Sequence, residues 1–404
     1  MTRKLSPSIA LEKDLGAQIY DALQGSVVEA IRDNASNGEE DIYWRSRMEG
    51  HCMKVEKAVL PDFWRLCTDV KKTLGFNEPV DFYVTGDSSI NAFSVEATEA
   101  GNPHIVNINS GMIDIMSEEE LRFVIGHELG HIINKDLSLR RLIYFVFPPD
   151  TTAPPLALEY KIRLHDQLAE LVADRYGFLA SGNLNACVTA FYKMSSGLDL
   201  GKMDVSIDAL LKDNRKHLDY FLKDKGLSRY DHPVNPIRIE AIKLYASAAD
   251  EKELEAGMNE LLEILLQIGN GPMDADLSVF FATAGIIFSN VDDDPTKDEY
   301  EHIIQNLSGV QIFPKKYLAE MHREDVVGKF NESVNNILNK APGMRETLLF
   351  YLIGLVMSDR KLLESEVILL YNVGRGLGFS DKDISMRFAD MIRNHFTPSL
   401  DSIG

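Results

Sequence analysis

The segment His127-Glu128-Leu129-Gly130-His131 brings together side chains that can bind and use a metal ion. Histidines four residues apart on a helix lie on one face about one turn apart, so both imidazoles can reach the same cation. Glu128 lies beside them, where its carboxylate can face a water molecule bound to that cation. The spacing therefore predicts a metal site with a base next to it.

Two surface histidines on an amphipathic helix are the alternative explanation. The residues around the motif are apolar on several sides, which indicates a largely buried helix, and burying two histidines without partners is costly. A metal ion would supply the missing partner, so the metal site is favoured. The apolar neighbours are Val124, Ile125, Leu129, Ile132 and Ile133.

A catalytic zinc ion takes three protein ligands and keeps a fourth position open. The helix predicted over residues 157–180 contains Glu170 and Asp174, one turn apart. We expect Glu170 to be the third ligand and Asp174 to accept the other ring N–H of a ligating histidine. Such a carboxylate pair would mean little by itself, but with the histidines it predicts one zinc ion per chain.

The elements that must position these residues are readable in the sequence. Ser117 followed by Glu118, Glu119 and Glu120 is a capping box that opens a helix ending near Asn134. Three β-rich segments separated by turn residues predict a small antiparallel sheet with hairpin connections. The fold class is therefore α+β and mostly α-helical, with an all-α C-terminal domain. Further helices are predicted over 9–35 and 57–75, and the strands over 80–85, 90–97 and 104–109.

Composition narrows the class of protein. The chain has 404 residues, which favours two domains, and a net charge of −20, which opposes binding to phosphate backbones or anionic lipid. Three scattered cysteines exclude a disulfide framework. The first residues lack the apolar core of a signal peptide, and no apolar run is long enough to span a bilayer. We expect a soluble, cytoplasmic protein with no nucleic-acid partner and no integral membrane segment.

Four motifs in a fixed order resemble the gluzincin zinc metallopeptidases that include the CAAX prenyl proteases, the heat-shock protease HtpX and the mitochondrial Oma-type proteases. The likeness covers about residues 50–245. The motifs are the strand NAFSVEA, the stretch NSGMIDIMSEEELRFVIGHELGH, the segment ELVAD, and His232-Pro233 followed by Arg238-Ile239.

The resemblance implies that His127, His131 and Glu170 bind zinc and that Glu128 is the general base. It further implies that Asn91, Ala92 and Phe93 form the strand edge along which a peptide substrate lies.

His232 would lie near the metal, as a catalytic stabiliser of the oxyanion or as a regulatory fourth ligand. Arg238 would anchor that segment. Apart from the resemblance, His232-Pro233 is also compatible with a simple turn before a helix.

The function that follows is a zinc endopeptidase. The sequence lacks the transmembrane helices that surround the catalytic core of the prenyl protease and the heat-shock protease, so a soluble protein or peptide substrate is expected. A non-proteolytic alternative is a zinc-containing scaffold or stress-response binding protein that acts through its acidic helical part, with His232 as a fourth ligand.

Three regions are predicted along the chain. Residues 1–49 form an N-terminal helical region, 50–248 the metallopeptidase domain, and 249–404 an acidic all-helical domain. The stretch 354–384 resembles the TerB-type helical domain linked to tellurite resistance and stress, and a generic helical bundle is the equal alternative. Residues 249–404 are the predicted surface for a partner or for self-association.

Overall fold

The computed structural model describes residues 5–36, 39–148, 154, 156–223, 233–267, 272–289, 325–356 and 363–395. The chain clusters into two compact units. Among the described residues, those up to Leu265 form the first unit, apart from 156–157, and those from Leu266 onwards form the second.

The described part of the first unit is mainly helical. Its helices are α1 Ala10–Ala22, α2 Gly25–Ser36, α3 Glu39–His51, α4 Pro61–Thr73, α5 Ser110–Ile115, α6 Glu118–Asn134, α7 Asp136–Val146, α8 Leu156–Ser181, α9 Leu184–Ser196, α10 Ile207–Lys223, α11 Asn235–Ser247 and α12 Glu251–Gln267.

One four-stranded sheet accompanies these helices. Its strands are β1 Met53–Lys54, β2 Val80–Thr85, β3 Ala92–Val95 and β4 His104–Asn109, in the order β1-β2-β4-β3. The outer strands β1 and β3 run antiparallel to their neighbours, but β2 and β4 run parallel. The expectation of an antiparallel sheet is therefore wrong, because the sheet is mixed.

Burial explains the mixed pairing. All six residues of β4 are buried, so this strand takes a central position with both of its edges paired. The hairpin expected between β2 and β3 cannot form, since β4 lies between them. The stretch 86–103, which contains β3, is long enough for the connection that parallel strands need.

The single helix expected over residues 9–35 is broken into α1 and α2. Gln24 has a left-handed backbone (φ 51°) at the break. A side-chain carbon at Gly25 would lie 2.4 Å from the ring of Tyr20, so only glycine fits this turn.

Helix α6 has the capping box that the sequence predicts. The backbone N–H of Ser117 donates to Glu120 (2.6 Å), and the backbone N–H of Glu120 donates to the Ser117 hydroxyl (3.4 Å). The helix ends at Lys135, which is left-handed (φ 62°). Most of α6 is buried, so the metal motif lies inside the unit rather than on its surface.

Glycines let α6 and α8 approach each other closely. An added carbon at Gly126 would lie 2.4 Å from the Ala180 side chain, and one at Gly130 would lie 3.0 Å from the backbone of Ala173. On the facing helix, Gly177 lies directly against Phe123. This close packing brings the α8 carboxylates to the α6 histidines.

We expect Gly126→Ala to lower the free energy of unfolding by about 1–3 kcal/mol, because the methyl group overpacks the α6–α8 contact. Urea denaturation measures the change. Gly50→Ala in α3 is the matched control, since no atom lies within 4 Å of the added carbon. A stability of Gly126→Ala equal to that of this control would contradict the close approach.

The second unit is helical throughout its described residues. Phe280, Phe281 and Tyr351 pack with ring centroids 4.5–5.7 Å apart, and Phe280 stacks on Phe330 at 5.5 Å. The all-α prediction agrees with this unit, while the TerB-type resemblance stays a prediction. Its helices are α13 Pro272–Ser289, α14 Val326–Lys340, α15 Arg345–Val356, α16 Glu364–Gly376 and α17 Asp381–His395.

Among the residues that the structure describes, no helix combines the length and the apolar character needed to cross a membrane.

Candidate metal centre

Three side chains on α6 and α8 present donor atoms to one point. His127, His131 and Glu170 each offer one ligand atom, and these atoms lie within 4.8 Å of one another. The two Nε2 atoms are 3.1 Å apart, and each lies 3.6 Å from a Glu170 carboxylate oxygen. The four-residue spacing of the two histidines on α6 and the close packing of α6 against α8 produce this convergence.

The opposite nitrogen of each imidazole donates to a carboxylate. Nδ1 of His127 lies 2.9 Å from Asp174, and Nδ1 of His131 lies 2.9 Å from Asp136. Because each Nδ1 is held in these bonds, Nε2 is the atom of each ring that offers a lone pair to a metal when the ring is neutral. The structure thus gives Asp174 the contact that the sequence predicts for it.

Asp136 is a functional residue that sequence reasoning missed. It is the first residue of α7 and is 4% exposed. The left-handed Lys135 turns the chain so that Asp136 comes back to His131. An acidic residue five positions after the second histidine is a weak signal in the sequence, since an unbroken helix would not bring it to that ring.

The charge on Asp136 determines the protonation of its neighbour. Burial favours the neutral ring of His131, but the carboxylate of Asp136 outweighs burial and raises the pKa of His131 to about 10. A metal ion must displace the proton on Nε2 of this ring. Metal binding at neutral pH should therefore release a proton and strengthen as the pH rises.

Arg238 supports the carboxylates of α8. Its guanidinium donates two bonds to Asp174 (2.8 and 2.6 Å) and lies 3.3 Å from Glu170. Burial raises the pKa of Asp174, but the charge of Arg238 more than offsets this and lowers it. Asp174 is thus held as an anion at 0% exposure. Through these contacts Arg238 anchors α11 to the centre, which is the role that the resemblance implies for it.

Glu128 lies in the same cavity as the three donor residues. It is 8% exposed, and its Oε2 accepts a hydrogen bond from the Ser94 hydroxyl at 3.0 Å. Sequence reasoning missed Ser94, although it lies in the predicted strand directly after the three predicted substrate-binding residues. Its bond fixes one oxygen of Glu128 and leaves Oε1 as the atom that can take a proton.

The strand β3 forms one wall of this cavity, whose volume is about 250 Å³. Asn91, Ala92 and Phe93 line it together with the donor residues, and Arg238 closes another side. Because β3 is the last strand in the sheet order, its outer edge has no partner among the described strands. The apolar lining residues are Ile90, Met112, Phe123, Val124, Leu137 and Met194.

The predicted site residues are thus brought together with one exception. His232 lies outside the described residues, so its proposed contact with the metal stays a prediction.

The donor set fits zinc. Two imidazole nitrogens and one carboxylate are a known three-ligand combination for catalytic zinc, and the carboxylate partners of both rings are its usual second layer. The donor set and the α+β fold are those that the gluzincin resemblance implies.

Part of the chain matches a known protein family. The model of Peptidase family M48 matches residues 64–149, which hold strands β2–β4 and both histidines but not Glu170. This match and the similarity to HtpX proteins support an HtpX-like gluzincin family for this part of the chain.

Plastoglobule-localized metallopeptidase 48, chloroplastic, from Arabidopsis thaliana is 24% identical over 218 residues, covering 51% of this chain and 62% of that protein. The Protease HtpX homolog of Lactobacillus helveticus is 32% identical over 89 residues, 22% of this chain and 29% of that protein. The Streptococcus uberis homolog is 34% identical over 79 residues, 20% of this chain and 26% of that protein. The chain therefore spans less than two thirds of each of these relatives. No solved structure matches it.

We expect Asp136→Asn to weaken zinc binding by about 10–100-fold, because the amide keeps the shape but loses the charge that orients and polarises His131. Competition with a chelating dye measures the affinity. Asp114→Asn, at an exposed position of α5, serves as the control. Equal zinc affinity in Asp136→Asn and wild type would show that Asp136 does not support the centre.

Proposed function

We propose that this chain is a zinc-dependent endopeptidase that hydrolyses protein or peptide substrates with one zinc ion per chain. The observation that carries the proposal is the convergence of His127, His131 and Glu170 beside Glu128, at the unpaired edge of β3. The match of residues 64–149 to Peptidase family M48 and the similarity to HtpX homologs support a metallopeptidase.

The chain's own residues perform distinct tasks in this proposal. Zinc, when bound, supplies a Lewis acid that polarises a carbonyl and lowers the pKa of water. Glu128 accepts a proton at Oε1 and returns it to the leaving amine, while Ser94 holds Oε2 in place. Asp136 and Asp174 keep the two rings oriented.

The edge of β3 positions the substrate. A peptide that adds to this strand forms main-chain hydrogen bonds along it, and its backbone then passes beside Glu128. Asn91, Ala92 and Phe93 are the proposed binding residues of this edge. Binding by the main chain suits an endopeptidase, since it requires no free end of the substrate.

Metal removal tests the proposal. We expect a chelator to abolish cleavage of casein by the purified protein and added zinc to restore it, with metal analysis giving one zinc per chain. His131→Ala should lose both zinc and cleavage, because it removes a ligand. Cleavage that persists in zinc-free protein would overturn the proposal.

The same experiment addresses the scaffold alternative. A structural zinc would raise the melting temperature without supporting cleavage. If removal of zinc by a chelator lowers the melting temperature, and the zinc-loaded protein shows no cleavage, a scaffold that acts through residues 249–404 is favoured.

Several finer predictions belong to this proposal. They are soluble substrates, a cytoplasmic location, a role in the stress response, the boundaries 1–49, 50–248 and 249–404, and docking or self-association through the last region. The name of the Arabidopsis relative gives that protein a chloroplast location.

A further inference from the structure

A second, larger cavity of about 830 Å³ lies on the other side of β3. Helix α3 provides one wall, and the carboxyl ends of β2 and β4 provide the floor. Asn91 and Phe93 line both this cavity and the metal cavity, so the two are separated by the strand proposed to bind substrate. The residues lining the second cavity include Tyr43, Ser46, Met48, Thr85, Ser89 and Asn109.

A row of hydrogen-bonded side chains lies at the floor, in which Thr85, Asn109 and Ser89 line the cavity and Asn107 is buried beneath it. Thr85 donates to Asn107 (2.8 Å), Asn107 donates to Asn109 (3.2 Å), and Asn109 donates to Ser89 (2.8 Å). An asparagine amide has two N–H groups, so the bond to Ser89 leaves Asn109 a second donor. The floor therefore presents neutral groups that can both donate and accept.

The alternation of β3 places the two cavities on opposite faces of the strand. Ser94 faces Glu128 of α6, whereas Phe93 packs against Trp44 of α3 with ring centroids 5.8 Å apart. The backbone N–H of Asn109 donates to Asn91 (3.0 Å), which makes these two residues a hydrogen-bonded pair. By alternation, the backbone groups of Ala92 and Ser94 point to the free edge.

A peptide added to that edge follows the same alternation. Side chains directly opposite each other in neighbouring strands lie on the same face of a sheet. A substrate residue opposite Ser94 therefore points towards the metal cavity, and the residue opposite Phe93 points towards the second cavity.

We propose that the second cavity is a specificity pocket that receives every second side chain of the substrate and favours the carboxamides of glutamine and asparagine. This rests on the proposed endopeptidase function. A carboxamide can both donate and accept hydrogen bonds, which matches the polar groups on the cavity floor. Phe93 and Met48 line the same cavity and provide an apolar surface for the CH2 groups of the glutamine or asparagine side chain.

The charges that line the cavity do not favour either sign of side chain. Asp87 and Arg47 both lie there, so a carboxylate or a cation is attracted by one of them and repelled by the other. A neutral polar side chain is therefore at no disadvantage against a charged one.

Cleavage of a proteome-derived peptide library by the zinc-loaded protein tests the pocket, with mass spectrometry reading the residues around each cut. We expect glutamine and asparagine to be enriched at one position beside the cut and, more weakly, two residues away. Ser46→Trp, which fills the cavity from α3, should lower this preference by about tenfold, the equivalent of one good hydrogen bond. Cleavage of peptides without glutamine or asparagine at these positions, by the same variant, is the reference for the preference, because Ser46 does not line the metal cavity.

Two further variants make the outcome decisive. Ile42→Trp, on the same helix but outside the cavity, should keep the wild-type preference. Ser89→Ala removes a floor hydroxyl without added bulk and should weaken the preference even if Ser46→Trp fails to fold. Cleavage with no carboxamide preference, or an unchanged preference in both cavity variants, would overturn this inference alone. No cleavage of any peptide would overturn the proposed function and the pocket with it.

Discussion

Glu128→Gln should lower kcat/KM for peptide cleavage by about 10²–10⁴-fold while one zinc ion per chain remains bound. The amide has nearly the same shape as the carboxylate and can keep the hydrogen bond from Ser94, but it cannot accept a proton at neutral pH. The zinc ligands are unchanged, since Glu128 is not one of the three converging donors. Cleavage kinetics and metal analysis on the same preparation measure both quantities.

A matched substitution separates this effect from a general loss of charge. Glu118→Gln changes the same residue type at an exposed position in the first turn of α6. It should leave the cleavage rate near that of wild type. If Glu128→Gln cleaved at the wild-type rate, Glu128 would not be the base. If it lost zinc as well, its role would be structural.

Asp174→Ala should lower the free energy of unfolding by about 3–5 kcal/mol, because it leaves the buried charge of Arg238 without its main partner. Asp174 is 0% exposed and accepts two bonds from Arg238 and one from His127. Its removal therefore also frees the His127 ring, and zinc affinity should fall with stability. Denaturant titration with and without zinc measures the two effects.

Two controls identify the cause of that loss. Asp213→Ala removes an exposed carboxylate of α10 and should change stability by less than about 0.5 kcal/mol. The double variant Asp174→Leu, Arg238→Met replaces the pair by apolar groups and should recover part of the stability. A loss below about 1 kcal/mol in Asp174→Ala would show that the pair is not the main anchor of α11.

Local signals in the sequence predicted much of the site. The capping box at Ser117 fixes where α6 begins, and the four-residue spacing then places both histidines on one face of that helix. Strands β2 and β4 have the predicted bounds, because their alternation and flanking turn residues are local as well. The pairing of Glu170 and Asp174 one turn apart on α8 was equally readable.

Other features depend on contacts between distant parts of the chain. The contact of Asp136 with His131 needs the left-handed turn at Lys135, and the contact of Ser94 with Glu128 needs β3 to lie beside α6. Neither residue pair has a spacing that a regular element explains.

The sequence by itself determined which side chains could bind a metal, which helices carry them and which carboxylate lies next to them, since these follow from residue identity and helix periodicity. Only the tertiary structure decided that β2 and β4 run parallel, that β3 is left as an open edge, and that glycines on α6 and α8 bring the third ligand to the histidines. The physical reason is burial: the order of strands and the approach of helices are set by which surfaces exclude water together. Because this requirement depends on contacts between residues far apart in the chain, it cannot be predicted from a local sequence pattern.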